Sequence, residues 1–513
     1  MPAPTFVLGC DIARSGLGLA ILAGDGSVLH SMRRAYAGEA GDDHATGDPL
    51  DWWRAARTGI KELLRRAKLK PDQIRCIGVT GDDACVLIDR EGRSLVPASL
   101  GADPRAVSAV DELHKAVGAR TLLNLTGGVA STTATAVKLI ALRNLEKRAW
   151  HDLQHVLGAK DFLRFKLTGT LATDATDAAA TLLFNPKTRT WSKQLTTQLG
   201  FQPEWLPPVA DGKSLSGRVT ESAARDTGLA AGTPVVTGAG HAAAIALACG
   251  VITPGVATIE LGGRGDLFLT TAESARDPSG RLASSCHTVA NVWGLSIKDL
   301  AGSTGIDWLL GCVLPSEAAQ ARRNQRDPLD MLAELAAEVP PGADDLLYLP
   351  SASGSTGGFL GLDQRHGRGH LARAVLEGGA LACRRTLEQI GELKRSPERV
   401  VLTGPGAGNQ LWCQIMADVL ERPVQAFSAQ ESAATGAAVL ASVAVGVHKT
   451  LDDACAKVTK HRHSFTPRKA AADAYLAIAP RAARLAAAIN PTVLTATAAA
   501  AAAAPLTAEA AET

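Results

Sequence analysis

Short apolar runs alternate along this chain with longer stretches of helical periodicity, and turn residues punctuate the changes. Phe6-Val7-Leu8-Gly9-Cys10 leads through Asp11-Ile12-Ala13-Arg14-Ser15 into Gly16-Leu17-Gly18-Leu19-Ala20-Ile21-Leu22, which reads as two strands across a short polar turn. A hairpin at 23–27 follows, then Val28-Leu29. Residues 49–67 predict an amphipathic helix with a proline at its start. A strand over 74–80 ends in Gly81-Asp82-Asp83-Ala84-Cys85, and a further strand and turn are expected over 86–92. Residues 101–105 open a helix that runs through Val117. Pro234-Val235-Val236 predicts a buried strand stopping at Thr237-Gly238-Ala239-Gly240, after which His241 opens a small-residue helix. Residues 257–261 form a strand that halts at Gly262-Gly263-Arg264-Gly265 and resumes at Asp266. A last glycine turn, Gly404-Pro405-Gly406-Ala407-Gly408-Asn409, joins a strand over 400–403 to a helix over 410–420. A strand at 423–427, a small-residue helix at 432–445 and a closing helix at 465–485 complete the pattern. Strands alternating with helices in this way make an α/β protein. The opening strand–turn–strand theme recurs near 255–270.

Composition bounds the function. A chain of 513 residues exceeds one core, so two domains are expected. A net charge of +2 offers no electrostatic handle for nucleic acid or an anionic membrane. No apolar run is long enough to span a bilayer. The nine cysteines form no C-x-x-C pair, which points to buried reduced thiols in the cytoplasm and away from a cysteine metal site. From Ile489 the chain turns to proline, threonine and a run of alanines, a tail expected to be disordered.

The candidate chemistry lies at the glycine turns. Glycines where strands end let a ligand approach backbone amides, and helix starts favour anions. Neither the P-loop nor the dinucleotide fingerprint is present. Asp11, ending the first strand, either caps its turn or holds Mg²⁺ beside phosphates. Asp82 and Asp83 either meet sugar hydroxyls or cap a turn in solvent. His241 is the one polar side chain at its turn.

Several segments together resemble the FGGY carbohydrate kinases, most closely their xylulokinase-like branch, over roughly residues 6–485. Gly357-Gly358-Phe359-Leu360-Gly361-Leu362, then seven residues, then His370-Leu371-Ala372-Arg373-Ala374-Val375-Leu376-Glu377 resembles the family's second signature. Ala159-Lys160-Asp161 through Thr168-Gly169, with Thr173-Asp174 and Asp177-Ala178-Ala179-Ala180-Thr181, is similar to its K-D-Y-L and D-A-A-G-T segments. Ser303-Thr304-Gly305 with Trp308 is similar to its nucleotide-side helix start, and Gly404 to Asn409 with Trp412, Gln414 and Asp418 to its adenine turn.

The resemblance implies two actin-like (ribonuclease H-like) domains with an interdomain cleft. Sugar binding is expected over 1–247 and nucleotide binding over 248–488, with 489–513 as tail. It implies ATP and Mg²⁺ as cofactors, a ketose such as xylulose or a polyol as substrate, and a homodimer. Carried over, Asp11 would serve the metal; Arg14, Gly262, Gly263, Arg264, Thr304, Gly305, Gly404, Gly406, Ala407, Gly408 and Asn409 the nucleotide; and Asp82, Asp83, Asp103 and Arg105 the sugar.

The departures concentrate on polar positions. The family's turn G-G-G-D, whose aspartate is the catalytic base, reads Gly238-Ala239-Gly240-His241. D-x-G-T-x keeps Asp11 but continues as Ile12-Ala13-Arg14-Ser15. L-G-T-S-G becomes Leu261-Gly262-Gly263-Arg264-Gly265. Q-M-H-G becomes Asp82-Asp83-Ala84-Cys85, and W-N-D-x-R keeps only Asp103 and Arg105. The S-G-E-R-T-P segment shrinks to Ser353-Gly354-Ser355-Thr356-Gly357. His241 reads either as a proton acceptor or as a turn residue without catalytic part. A kinase, an inactive relative that binds sugar or nucleotide, and an actin- or chaperone-like ATPase all remain as readings.

Overall fold

The computed structural model describes residues 5–37, 45–263, 265–298, 300, 303–350, 357–427, 431–459 and 463–489. Within them the chain builds the same sheet design twice. In the first half, Phe6–Ala13 pairs antiparallel with Gly16–Ala23, which pairs antiparallel with Val28–Arg34. On its other side Phe6–Ala13 runs parallel to Ile74–Gly81, and Pro234–Val236 continues the parallel set. In the second half, Val256–Glu260 pairs antiparallel with Leu267–Thr271 and parallel with Arg399–Thr403, followed by parallel Val424–Ala426. A hairpin on one flank and parallel strands on the other is the arrangement in both. Each sheet therefore ends its central strands at a turn of the kind expected to carry chemistry.

The helices follow from the apolar spacing. Pro49–Ala67 is capped by Asp48, whose side chain accepts from the Leu50 N–H at 2.9 Å. Its Trp52, Trp53, Ile60 and Leu63 bury against Leu8, Leu19 and Ile77 of the first sheet. Arg368–Glu392 and Gln410–Leu420 cover the second sheet over Ile259, Leu269 and Leu402.

Some expectations shift. The strand expected over 86–92 is Ala84–Ile88, because Asp89 accepts from the Glu91 and Arg93 N–H groups and turns the chain there. Pro104–Ala106 is a separate short turn of helix before Val107–Val117. Phe465 ends an edge strand, so the closing helix is Lys469–Ile489. All nine cysteines are free, and Cys312 is exposed where burial was expected. Among the described residues no helix is long and apolar enough to cross a membrane. The alanine tail and residues 351–356 lie outside the described residues.

The Ser432–Ala444 helix joins the two halves. It lies across Phe6–Ala13 and Ile74–Gly81 and against His241–Ala248. A Cβ on Gly9 would overlap the Ala434 carbonyl, one on Gly78 the Ala437 carbonyl, and one on Gly436 the Ala244 carbonyl. Helix and sheet meet backbone to backbone, with no room for a methyl group. Gly78→Ala is therefore expected to cost about 3 kcal/mol through overpacking and to lower the melting temperature clearly. Gly311→Ala, at a helical position where a methyl meets only open space, is the control and should leave melting unchanged or slightly raised.

Candidate active site between the two sheets

The close packing gathers charged side chains where the strands of the first sheet end. Asp11 lies near the C-terminal end of its strand, fully buried. His241 is the first residue of the His241–Ala248 helix, and its Nδ1 stands 3.3 Å from Asp11 Oδ1 and 3.7 Å from Asp82 Oδ1. Arg33, at the end of the Val28–Arg34 strand, reaches Asp11 Oδ2 at 3.5 Å. It also holds Glu431 through two bonds, Nε to Oε1 at 3.2 Å and Nη2 to Oε2 at 2.6 Å. Glu431 immediately precedes the Ser432–Ala444 helix, so this cluster spans 398 positions of sequence. Gly18 makes it fit, since any side chain there would collide with the Glu431 carboxylate.

Electrostatics set the state of these groups. Burial disfavours the charged imidazole of His241, yet Asp11 and Asp82 outweigh it and push its pKa up to about 10. This favours the charged, hydrogen-bond-donating form of the imidazole. Burial raises Glu431 to about 7 against the pull of Arg33.

A cavity opens to solvent between the halves. Asp83, Asp177, Gly240 and His241 line it from the first half, Asp266 and Lys298 from the second. Lys298, just beyond the Trp293–Ile297 strand, pairs with Asp83 across it. Asp82 Oδ2 accepts from the Arg14 N–H at 3.0 Å. The Arg14 guanidinium lies beside Gly101 and lines a second cavity that also touches Tyr36 and Trp52. Asp103 accepts from Ser99 and Arg105. Neither Asp103 nor Arg105 lines either cavity.

In the second half the glycine turns interlock. Gly262 and Gly263 hold φ of 78° and 58°, and Gly404 holds 83°. The Gly406 N–H donates to the Leu261 carbonyl at 2.9 Å, and the Ser303 N–H reaches the Gly263 carbonyl at 3.4 Å, just before Thr304 and Gly305. Ala407 is buried, Gly408 ends this turn, and Asn409 caps Gln410–Leu420 by accepting from the Trp412 N–H at 3.0 Å. Arg264 lies outside the described residues.

Models of the FGGY family of carbohydrate kinases match this chain twice, the N-terminal domain over residues 6–248 and the C-terminal domain over 266–445. The chain belongs to the FGGY family of carbohydrate kinases. The solved xylulose kinase from Rhodospirillum rubrum is 30% identical, with a TM-score of 0.81 over 94% of this chain and 99% of that one. The xylulose kinase of Bacillus subtilis is 25% identical over 476 residues, 90% of this chain and 93% of its own length. The glycerol kinase of Plasmodium falciparum, solved with ADP, shares the fold at 18% identity, with a TM-score of 0.77 over 93% of this chain and 98% of that one. The two actin-like halves of this FGGY kinase thus follow the architecture of its relatives.

Arg33, Glu431, Lys298 and Asp177 enter the site of this FGGY kinase without being singled out as site residues by sequence. Their local patterns are those of ordinary strand ends and helix starts, and only the fold pairs them. Removing Arg33 leaves two carboxylates at the cleft floor without this counter-charge. Arg33→Ala is expected to destabilise by about 2 kcal/mol, the low side for a buried pair because Arg33 is one-third exposed. Adding Glu431→Gln to it should recover part of that loss in thermal unfolding of the single and double variants.

Proposed function

We propose that this FGGY kinase is a cytoplasmic, ATP-dependent ketose kinase, with a pentulose such as xylulose as the favoured substrate. The observation that carries the reading is a cavity lined from both halves, with His241 and Asp83 on one wall and Lys298 on the other. Residues 1–247 serve the sugar and 248–488 the nucleotide in this reading.

The glycine turns at Gly262–Gly263 and Gly404–Asn409, with Thr304 and Gly305 beside them, present amides and a helix start suited to the nucleotide. Among the described residues no group of three His, Cys, Asp or Glu side chains could hold a metal alone. A magnesium ion arriving with the nucleotide needs only one or two carboxylates besides phosphates. Asp11 fits that part, since its buried Oδ2 makes no hydrogen bond and meets the Arg33 guanidinium only as an ion pair at 3.5 Å. When bound there the ion would supply charge neutralisation on the phosphates. His241 offers a proton donor at the same floor, where phosphate oxygens gather charge during transfer. Asp83 and Lys298 then orient the sugar, exchanging their mutual pairing for its hydroxyls.

Turnover of ATP with a panel of pentuloses, hexuloses and polyols tests this. A ketose should stimulate ADP formation, and His241→Ala should lower kcat by about 10²-fold. If no sugar stimulates ADP release while sugar or nucleotide still raises the melting temperature, the protein is a binder and the kinase reading fails.

A further inference from the structure

We infer that Asp177 is the proton acceptor of this enzyme. The inference rests on the kinase reading above and names the group that reading lacks.

Asp177 belongs to a buried charge cluster. Lys160 Nζ lies 2.7 Å from Asp161, 3.1 Å from Asp174 and 3.2 Å from Asp177, and Arg164 adds a second cation on Asp161 at 2.9 Å. Two positive charges thus face three negative ones. One carboxylate can take a proton while the remaining two keep both cations paired. The Asp161 and Asp174 side chains are 2% exposed, whereas Asp177 is 14% exposed. Of the three, only Asp177 lines the cavity that His241 lines. It is the member of the cluster that a substrate can reach.

Its position relative to His241 is fixed. The Gly240 N–H donates to Thr176 Oγ1 at 2.7 Å, and Asp174 in turn accepts from that hydroxyl. A Cβ on Gly240 would lie 3.4 Å from the Asp177 Cα. The turn that ends in His241 therefore rests directly on the turn that carries Asp177. His241 itself is engaged by Asp11 and Asp82, and Asp83, beside Asp177 in the same cavity, pairs with Lys298. Burial lifts the pKa of Asp177, Lys160 pulls it back, and Asp161, Asp174 and Asp83 push again, leaving it at about 7. A base poised there suits proton transfer at neutral pH.

The step balances without a further reagent. The sugar oxygen bonds to the γ-phosphorus of ATP while the bond from that phosphorus to the β-phosphate oxygen breaks. ADP departs with that electron pair, and the hydroxyl proton passes to the Asp177 carboxylate.

The charged groups facing Asp177 are Lys160, Asp161, Asp174 and Asp83, with His241, Arg281, Asp266 and Lys298 around the shared cavity. The test uses the sugar that the wild type turns over and compares Asp177→Asn with Asp174→Asn, which also loses a Lys160 partner but not a cavity wall. Asp177→Asn should lower kcat by about 10²–10⁴-fold with KM and the ADP-induced rise in melting temperature retained. Asp174→Asn should change melting more than kcat. Equal kcat losses in the two variants, or full kcat in Asp177→Asn, overturn the inference and leave the kinase reading standing. Should Asp177→Asn fail to fold, the wild-type pH profile decides. The kcat should rise with pH through about 7 as Asp177 loses its proton, and a flat profile across that range overturns the inference. Absence of any sugar-dependent turnover in the wild type overturns both readings together.

Discussion

The backbone-to-backbone seating of the Ser432–Ala444 helix is the constraint from which the rest of this structure follows. Gly9, Gly78 and Gly436 let it approach two strands and the His241–Ala248 helix at distances that exclude any methyl group. The neighbouring residues are correspondingly small, with Ala243, Ala244, Ala434, Ala437 and Ala438 all buried. This contact brings the starts of two helices to the end of the first strand. His241, Glu431 and Asp11 converge there because their backbones have been brought together, not because their side chains are long.

Convergence of that kind raises a charge problem, which the chain solves with its own cations. Asp11 faces His241 and Arg33, Glu431 faces Arg33, Asp83 faces Lys298, and Asp177 faces Lys160. Burying a carboxylate without a partner costs several kcal/mol, and each of these pairings offsets that cost. The imidazole at position 241 sits between Asp11 and Asp82, which favour its charged form.

The architecture was largely legible in the residue pattern. The alternation of apolar runs and glycine turns placed the central strands of both sheets, the Pro49–Ala67 helix and the repeated strand–turn–strand theme, because those depend on local periodicity. The boundaries that moved did so where a side chain intervened, as Asp89 does after Ile88. The turns at Gly262, Gly404 and His241 were legible for the same reason. The ion pairs were not. Arg33 and Glu431 are joined only by tertiary packing, and so is the approach of the Arg14 guanidinium to Gly101. Asp103 and Arg105 kept the family's residue types but pair with one another, a contact that motif matching alone does not reveal.

A crystal structure of the protein with a non-hydrolysable ATP analogue and xylulose tests most directly whether this cleft is the working site. The expected result places the triphosphate between the Gly262–Gly263 turn and the His241 imidazole, with a sugar hydroxyl facing Asp177. A nucleotide bound outside the cleft, or a sugar held in the Trp52 cavity with none beside His241, would contradict it.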